Sequence, residues 1–382
     1  FFFFFFFFFF FFFPPPPPAC CDLQAAAAEA QPPPSAAALQ ALAQALRADR
    51  PAQELNLRAL LGHDGATAAV MPAVRDNARL TELHIECLGP QAMLALVGAL
   101  PPQLAWLDCE FGAAGEEPVA RQLSSVLATS GALQHLTLWH NHIDDVAVMA
   151  LAAALQHNTT LLSLDLAFNL IGVAGAGALA RGLRGNTALQ MLVLSQNYID
   201  DAGAAALAGL LRSPDCALRE LDIDSNNIKA PGARALADAL RANCHLRHLG
   251  LQHNSIGTAG LHALAAVLRT RPAMLRSLFL GHSGGALRGV RAVVLAATDS
   301  ALLTHLSLRT SNIDGAGGTT AALASLLRST TTLVSLDLAH NNLGDAGAAA
   351  LAAVLPSNTS MLLARRASNG EEEKEEEEGE EG

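Results

Sequence analysis

Residues 161–171 read LLSLDLAFNLI, with leucine at 161, 164 and 166, asparagine at 169 and isoleucine at 171. Leu161, Leu164 and Leu166 cannot all lie on one face of a helix, but a short strand entered through a turn points all three into one core. Asn169 falls where the strand ends and the chain bends. Its amide can both donate to and accept from backbone groups that the turn leaves unpaired.

The same spacing returns from Leu133, Leu189, Leu218 and Leu246, each time with Asn and Ile at the same offsets. The first leucine slot runs through positions 52, 80, 104, 133, 161, 189, 218, 246, 275, 303 and 333, with Ala52 its weakest occupant. Successive steps are 28 to 30 residues, apart from one of 24 between 80 and 104. Stacked copies place Asn141, Asn169, Asn197, Asn226, Asn254 and Asn341 in one ladder. Between strands a second pattern recurs, as in IDDAGAAALAGLLR at Ile199–Arg212. Its Ala and Leu spacing predicts an amphipathic helix whose small face packs closely on the strand layer. Gly175, Gly203, Gly232, Gly260, Gly317 and Gly347 share a slot at the helix entry, which implies tight backbone packing there. Arg184, Arg212, Arg241, Arg269 and Arg328 end the helices, where a cation suits the helix dipole.

The pattern L-x-x-L-x-L-x-x-N resembles the leucine-rich repeat signature. A period of 28 or 29 residues with a full helix resembles the ribonuclease-inhibitor-like subfamily, and the helix wording is most similar to the repeat arrays of NOD-like receptors. The resemblance covers about residues 52–360 and implies an α/β fold: a horseshoe-shaped solenoid of about eleven repeats of 28–29 residues, with an inner parallel sheet and outer helices. It is weak for function, because unrelated binding activities use the same frame.

The repeat domain is expected to run over residues 52–369, preceded by a capping helix at 35–50, where Leu39, Leu42 and Leu46 recur at helical spacing between Ser35 and Pro51. Residues 19–34, rich in Ala, Gln and Pro, read as a linker. Phe1–Phe13 followed by Pro14–Pro18 is too short for a membrane span and lacks the charged start and cleavage site of a signal peptide. Phe and Pro codons are both pyrimidine at their first two positions, so residues 1–18 read as a translated polypyrimidine tract, an artefact of the gene model. The repeats at 52 and 80 are degenerate, with Arg58 and Leu88 where the ladder motif leads one to expect other residues. At Leu275 the stretch LRSLFLGHSGGALRG loses the Asn and reads as a deformed turn, since it lacks the Lys-Ser/Thr of a phosphate loop. Beyond Leu355 the frame continues faintly through Met361, Ala364, Arg366 and Asn369, with Arg366 in a core slot that no buried strand tolerates unpaired. The array is expected to fray there. Residues 370–382 read as a solvated acidic tail: the run from 371 holds nine Glu and one Lys, eight of the chain's eleven net negative charges.

With that tail set aside the body is nearly neutral and shows no basic stripe, which argues against nucleic acid as the main partner. Six cysteines give little support for a secreted disulfide framework. Cys109 fills a strand core slot; Cys216 and Cys244 share a position held elsewhere by Thr159, Thr187, Thr331 and Thr359, which reads as a small, partly buried group. Asn158 and Asn358 sit in glycosylation sequons but belong to the helix-ending slot of the repeat. The groups His135, His140, His142 and His245, His248, His253 lack the spacing of a metal motif, and no serine is assigned as a nucleophile of the hydrolase type. No catalytic residue, metal or cofactor is assigned. The composition reads as a monomeric cytoplasmic or nuclear protein with no membrane attachment.

What the repeat offers is a surface. The x positions of the strand face outward onto the concave side. They carry Trp106, Phe111, Trp139, His140 and Phe168 on three consecutive repeats, Met191 on the next, and an acidic strand with Glu220, Asp222 and Asp224. Phe279 lies further on. Clustered exposed rings predict a protein-binding patch. The leading expectation is a non-catalytic interaction scaffold binding a protein partner, with NOD-like-receptor-type repeats and no nucleotide-binding domain. The alternative is a GTPase activator for a small GTPase, similar to the Ran GTPase-activating protein, in which such a horseshoe precedes an acidic tail. In that family's terms the loop Gly112–Gly115 is nearly featureless.

Overall fold

The computed structural model describes residues 36–46, 53–57, 64–86, 88–270, 274–315, 317–358 and 360. The expected tract at 1–18, the linker at 19–34, the tail at 370–382, and Ala52, Arg58, Thr359, Met361, Ala364, Arg366 and Asn369 all lie outside these residues.

Each leucine triplet builds one short strand. The strands are Glu54–Asn56 (β1), Glu82–Glu86 (β2), Trp106–Glu110 (β3), His135–Thr137 (β4), Ser163–Asp165 (β5), Met191–Val193 (β6), Glu220–Asp222 (β7), His248–Gly250 (β8), Ser277–Phe279 (β9), His305–Ser307 (β10) and Ser335–Asp337 (β11). They form one eleven-stranded parallel sheet in chain order. The register stacks equivalent leucines: Leu136 pairs with Leu164, Leu164 with Leu192, and Leu192 with Leu221. Leu161, Leu164, Leu166 and Ile171 are all fully buried. Parallel neighbours need a crossover between them, and each crossover here is a helix.

The helices are Ala36–Leu46 (α1), Asp64–Asp76 (α2), Pro90–Gly98 (α3), Glu117–Thr129 (α4), Asp145–Leu155 (α5), Val173–Gly182 (α6), Asp200–Leu211 (α7), Ala230–Leu240 (α8), Gly257–Leu268 (α9), Leu287–Thr298 (α10), Gly318–Ser329 (α11) and Gly344–Ala352 (α12). The one short step in the repeat falls on a short helix, since α3 has nine residues where α4 has 13. The entry glycines are there for space: a Cβ on Gly203 would stand 2.6 Å from Ile199 Cγ2 and 3.0 Å from Ala176 Cβ. In alternate repeats the preceding repeat also caps the helix. Asp145 Oδ1 accepts Gly172 N (2.7 Å) and Gly175 N (2.9 Å), Asp201 Oδ1 accepts Lys229 N and Gly232 N (both 2.8 Å), and Thr258 Oγ1 accepts Ala286 N (2.9 Å).

The asparagine ladder ties each turn to the one before it. Asn169 Oδ1 accepts Asn141 N and Ile143 N, both at 2.9 Å, while Nδ2 donates to Leu138 O, Leu166 O and Ala167 O at 2.9–3.1 Å. Asn141, Asn197, Asn226, Asn254 and Asn341 repeat this arrangement. Where the Asn is missing a smaller or apolar residue fills the slot: Leu88 is buried, Ser283 bonds to Leu280 O, and Gly112 leaves room for Asn141, whose Oδ1 would stand 2.8 Å from a Cβ. The nearly featureless loop has a steric cause as well, because a Cβ on Gly115 would collide with the His142 carbonyl.

A second ladder runs along the opposite edge. Asn158, Asn186, Asn243 and Asn358 each donate Nδ2 to a helix-end carbonyl one repeat back, Leu127, Leu155, Leu211 and Leu327 respectively, at 2.6–2.8 Å. The Oδ1 atoms of Asn158, Asn186 and Asn243 accept the N–H of the next first-slot leucine at 2.8–2.9 Å. Both sequon asparagines are therefore buried and hydrogen-bonded. The neighbouring Cys/Thr slot departs from expectation: Cys216 is buried, but Cys244, Thr159, Thr187 and Thr331 are exposed.

The ends differ from the middle. In α1, Leu39, Ala43 and Leu46 are buried and the helix packs on α2. At the other end Leu336, Leu338, Leu343 and Leu351 are only partly buried. No helix among the described residues is long and apolar enough to cross a membrane.

Candidate protein-binding face

The concave surface is built from four rows of side chains, one from each outward position of the strand and the turn after it. The first row reads Trp106, His135, Ser163, Met191, Glu220 and His248, paired in register from β3 to β8. The ring patch and the acidic strand, read separately in the sequence, therefore meet through Met191. Trp106 stacks on His135 with ring centroids 4.3 Å apart.

The last row lies just before the ladder asparagine and holds Phe111, His140, Phe168, Gln196, Ser225, His253, His282, Thr310 and His340. Every one of these residues has φ between 50° and 57°. Left-handed backbone costs a residue with a Cβ about 1–2 kcal/mol, so glycine would be the cheaper choice. The slot keeps phenylalanine and histidine for their side chains. Phe111 meets Trp139 edge to face at 4.5 Å, Trp139 lies 4.9 Å from Phe168, and His140 lies 4.9 Å from Phe111 and 5.6 Å from Trp139.

The rings are not fully exposed, as the sequence implied. Trp106, Phe111, Trp139, His140, Phe168 and Met191 are all half-buried, and the rings among them lean on neighbouring rings. Trp139 Nε1 is buried and makes no hydrogen bond among the described residues. Burial pushes His135 and His140 below the ordinary histidine range, with His142 adding to the effect on His140. The histidine groups also separate: His140 and His142 stay together at 5.6 Å, while His135 goes to Trp106, and His253 stacks on His282 at 5.2 Å.

The acidic strand needs a larger correction. Glu220 is buried, and burial, reinforced by Asp222, pushes its carboxyl up to about 7. Asp222 and Asp224 are raised by burial as well, and Asp222 adds repulsion to Asp224. Their oxygens are occupied: Asp222 Oδ1 accepts Asp224 N (2.9 Å), and Asp224 accepts Gln252 N (2.6 Å) and Gln252 Nε2 (3.1 Å). This strand is no freely charged contact.

Two features of the face went unread in the sequence. Asp108, Asp165 and Asp222 occupy the middle of the sheet on every second repeat, alternating with Thr137, Val193 and Gly250. The alternation keeps like charges two strands apart, about 10 Å. Asp165 is buried, accepts Ala167 N at 2.8 Å, and is pushed up to about 7 chiefly by burial. The signal was there as the tetrad L-x-L-D or its equivalent recurring at 57-residue intervals from Asp108 to Asp165 to Asp222. The second feature is an apolar rim. Leu170 and Tyr198 follow the ladder asparagines and are 46% and 66% exposed, and Val146, Met149 and Val173 are exposed as well.

For metals, ligand atoms of Glu54, Glu82 and His84 come within 4.8 Å of one another. His84 Nδ1 already lies 3.1 Å from Asp108 Oδ2, so this ring is held by a third carboxylate at the start of the groove. The described free cysteines are Cys109, Cys216 and Cys244, with burial pushing the thiols of Cys109 and Cys216 upward.

A family model described as "Leucine Rich repeat" matches residues 157–180, 185–208, 216–237, 242–265 and 330–352. No curated protein matches the chain. Similar solved structures include actin-binding site 2 of leiomodin-1, at 19% identity over 44% of this chain and 94% of that one, with a TM-score of 0.36. The Rad7–Elc1 complex of yeast matches at 17% identity over 73% and 74%, with a TM-score of 0.45. An internalin from Listeria monocytogenes matches at 16% identity over 85% and 90%, with a TM-score of 0.44. With its eleven-stranded parallel sheet and alternating helices, the chain is a leucine-rich repeat protein.

Proposed function

We propose that the chain is a non-catalytic scaffold that binds a protein partner on the concave face, centred on Trp106, Phe111, Trp139, His140 and Phe168. The observation that carries this reading is the row of half-exposed rings on adjacent strands, three of them in left-handed backbone. Rings fixed on a rigid sheet meet a partner with little further ordering cost. A half-exposed ring cluster suits an interface core, where such anchors dominate the binding energy. Leu170 and Tyr198 extend the footprint over the rim, and Met191 extends it toward β7. The NOD-like-receptor-type frame fits this role, with α1 serving as the cap on the first strand.

Affinity capture with the full chain and with Trp139→Ala and Phe168→Ala tests it. The reading requires a partner retained by the native chain and lost by both variants; a partner retained equally by all three would refute the ring site. The GTPase-activator alternative rests on the repeat array joined to an acidic run. Multiple-turnover GTP hydrolysis by Ran would then accelerate on the order of 10³-fold or more. No acceleration at micromolar protein removes it.

A further inference from the structure

The loops leading into β7, β8 and β9 each run between two arginines: Arg212 and Arg219, Arg241 and Arg247, Arg269 and Arg276. The first of each pair ends a helix, where the dipole accounts for it. The second follows the first leucine slot and has no such account. Arg247 N donates to Arg219 O and Arg276 N to Arg247 O, both at 2.7 Å, so the three stand on successive rungs of one edge. Rungs are about 4.8 Å apart, and like charges that close repel.

Arg219 and Arg276 are exposed and Arg247 is half-exposed. Arg241 pairs with Asp238 at 3.7 Å and Arg269 with Asp299 at 3.2 Å, but among the described residues no carboxylate pairs with Arg219, Arg247 or Arg276. The three loops hold a single acid, Asp215, and the flanking repeats carry Leu162, Gln190, Thr304 and Val334 at this position. The chain that looked free of basic stripes in composition thus assembles a local one. Its field reaches the groove: His248 is pushed down to about 4, by burial first and then by His305, Arg247 and Arg276.

We propose that this arginine edge is the docking site of the chain's own C-terminal glutamate run, residues 371–382. The charges are complementary, nine Glu against an arginine row that no described carboxylate pairs. The chain also leaves the last repeat on the same edge. Asn358 Nδ2 donates to Leu327 O (2.6 Å) and Ser360 Oγ to Leu333 O (2.8 Å). From there the rungs run Val334 to Thr304 to Arg276, joined by backbone bonds of 2.8 Å. Arg276 is two rungs from Val334 and Arg219 four, about 10 Å and 19 Å. Residues 361–370 can span roughly 35 Å when extended. Tethering of this kind gives a millimolar effective concentration, so individually weak exposed pairs suffice to fill the edge at low salt. An acidic partner for this edge must first displace the tail.

Digestion of the full chain with a Glu-specific protease, followed by mass spectrometry of residues 371–382, tests the contact. In about 0.01 M salt, where charges act over ~30 Å, R219E/R247E/R276E should lose its tail about tenfold faster than the native chain. In about 1 M salt, where screening shortens that range to ~3 Å, the two rates should converge. Equal rates at low salt overturn the proposal. Should charge reversal lower the melting temperature, the Arg→Gln triple variant carries the same comparison, and equal low-salt rates there overturn it too. Equal low-salt affinity of the native chain and of the chain already cleaved at its tail for a single-stranded oligonucleotide would mean that the tail does not cover the edge, and would also overturn the proposal.

Discussion

Asn169 and Asn341 hold the same slot in the fifth and eleventh repeats and make the same five bonds. Each Oδ1 accepts two N–H groups of the preceding turn, at 2.9 and 2.9 Å for Asn169 and 2.9 and 3.0 Å for Asn341. Each Nδ2 donates to one carbonyl of the previous strand and two of its own. Yet Asn169 is 3% exposed beneath a following repeat, whereas Asn341 is half-buried and Leu336 and Leu338 beside it are only partly covered. In a solenoid a motif's worth is set by the neighbours stacked on it. The hydrogen-bond pattern alone does not reveal it.

Substitution separates the two turns. Asn169→Ala leaves buried donors and acceptors unpaired and should cost about 3 kcal/mol or more, while Asn341→Ala, whose partners water can reach, should cost about 1 kcal/mol. Urea melts of the two variants give the difference; equal losses would mean that the last repeat is as well covered as the centre.

A titration sharpens the contrast within the central repeats. The folded pKa of Asp165, about 7, lies above its ordinary value of 3.8, so the folded chain holds this proton more tightly than the unfolded one. Its contribution is therefore fully present below about pH 4 and is lost as pH rises through about 7. Asp165→Asn, whose side-chain oxygen can still accept Ala167 N, should gain on the native chain over that interval by on the order of 2–4 kcal/mol and level off above it. Melts at pH 4.0 to 8.0 read this directly. A constant difference between variant and native chain across the range would show that Asp165 keeps contact with water. His248 acts in the opposite sense, since its lowered pKa removes stability as pH falls from about 6.5 to about 4, so only the difference between variant and native chain isolates the carboxyl.

The smallest expected effect belongs to the ring row. Trp139 rests on Phe111 and Phe168 but stays half-exposed, so Trp139→Ala should cost about 1 kcal/mol of folding stability, the scale of its ring contacts. A loss near that of Asn169→Ala would make the ring a core residue.

Period and strand parity made the leucine core, the Asn ladder and the identity of the ring row legible, because each depends only on slot spacing. Burial was not legible. Glu220, Asp222 and Asp224 occupy outward positions, yet rungs about 4.8 Å apart let neighbours on both sides cover them. The second asparagine ladder was obscured because its slot also takes Pro101, Ser130, Asp215 and Thr330, so asparagine does not recur in every repeat. Tyr198 and Leu170 escaped notice because the residue after the ladder asparagine follows no apolar period. The arginine edge was hidden by net charge, a sum in which three stacked arginines vanish against acids elsewhere.

On our reading the turns keep fold and recognition on adjacent residues, Asn169 inward and Phe168 on the face. Affinity capture and a urea melt on Phe168→Ala test it most directly. The expected outcome is a captured partner lost, with affinity reduced by about 2 kcal/mol or more, and folding stability lowered by no more than about 1 kcal/mol. A partner bound with native affinity, or a melt displaced as far as that of Asn169→Ala, would contradict it.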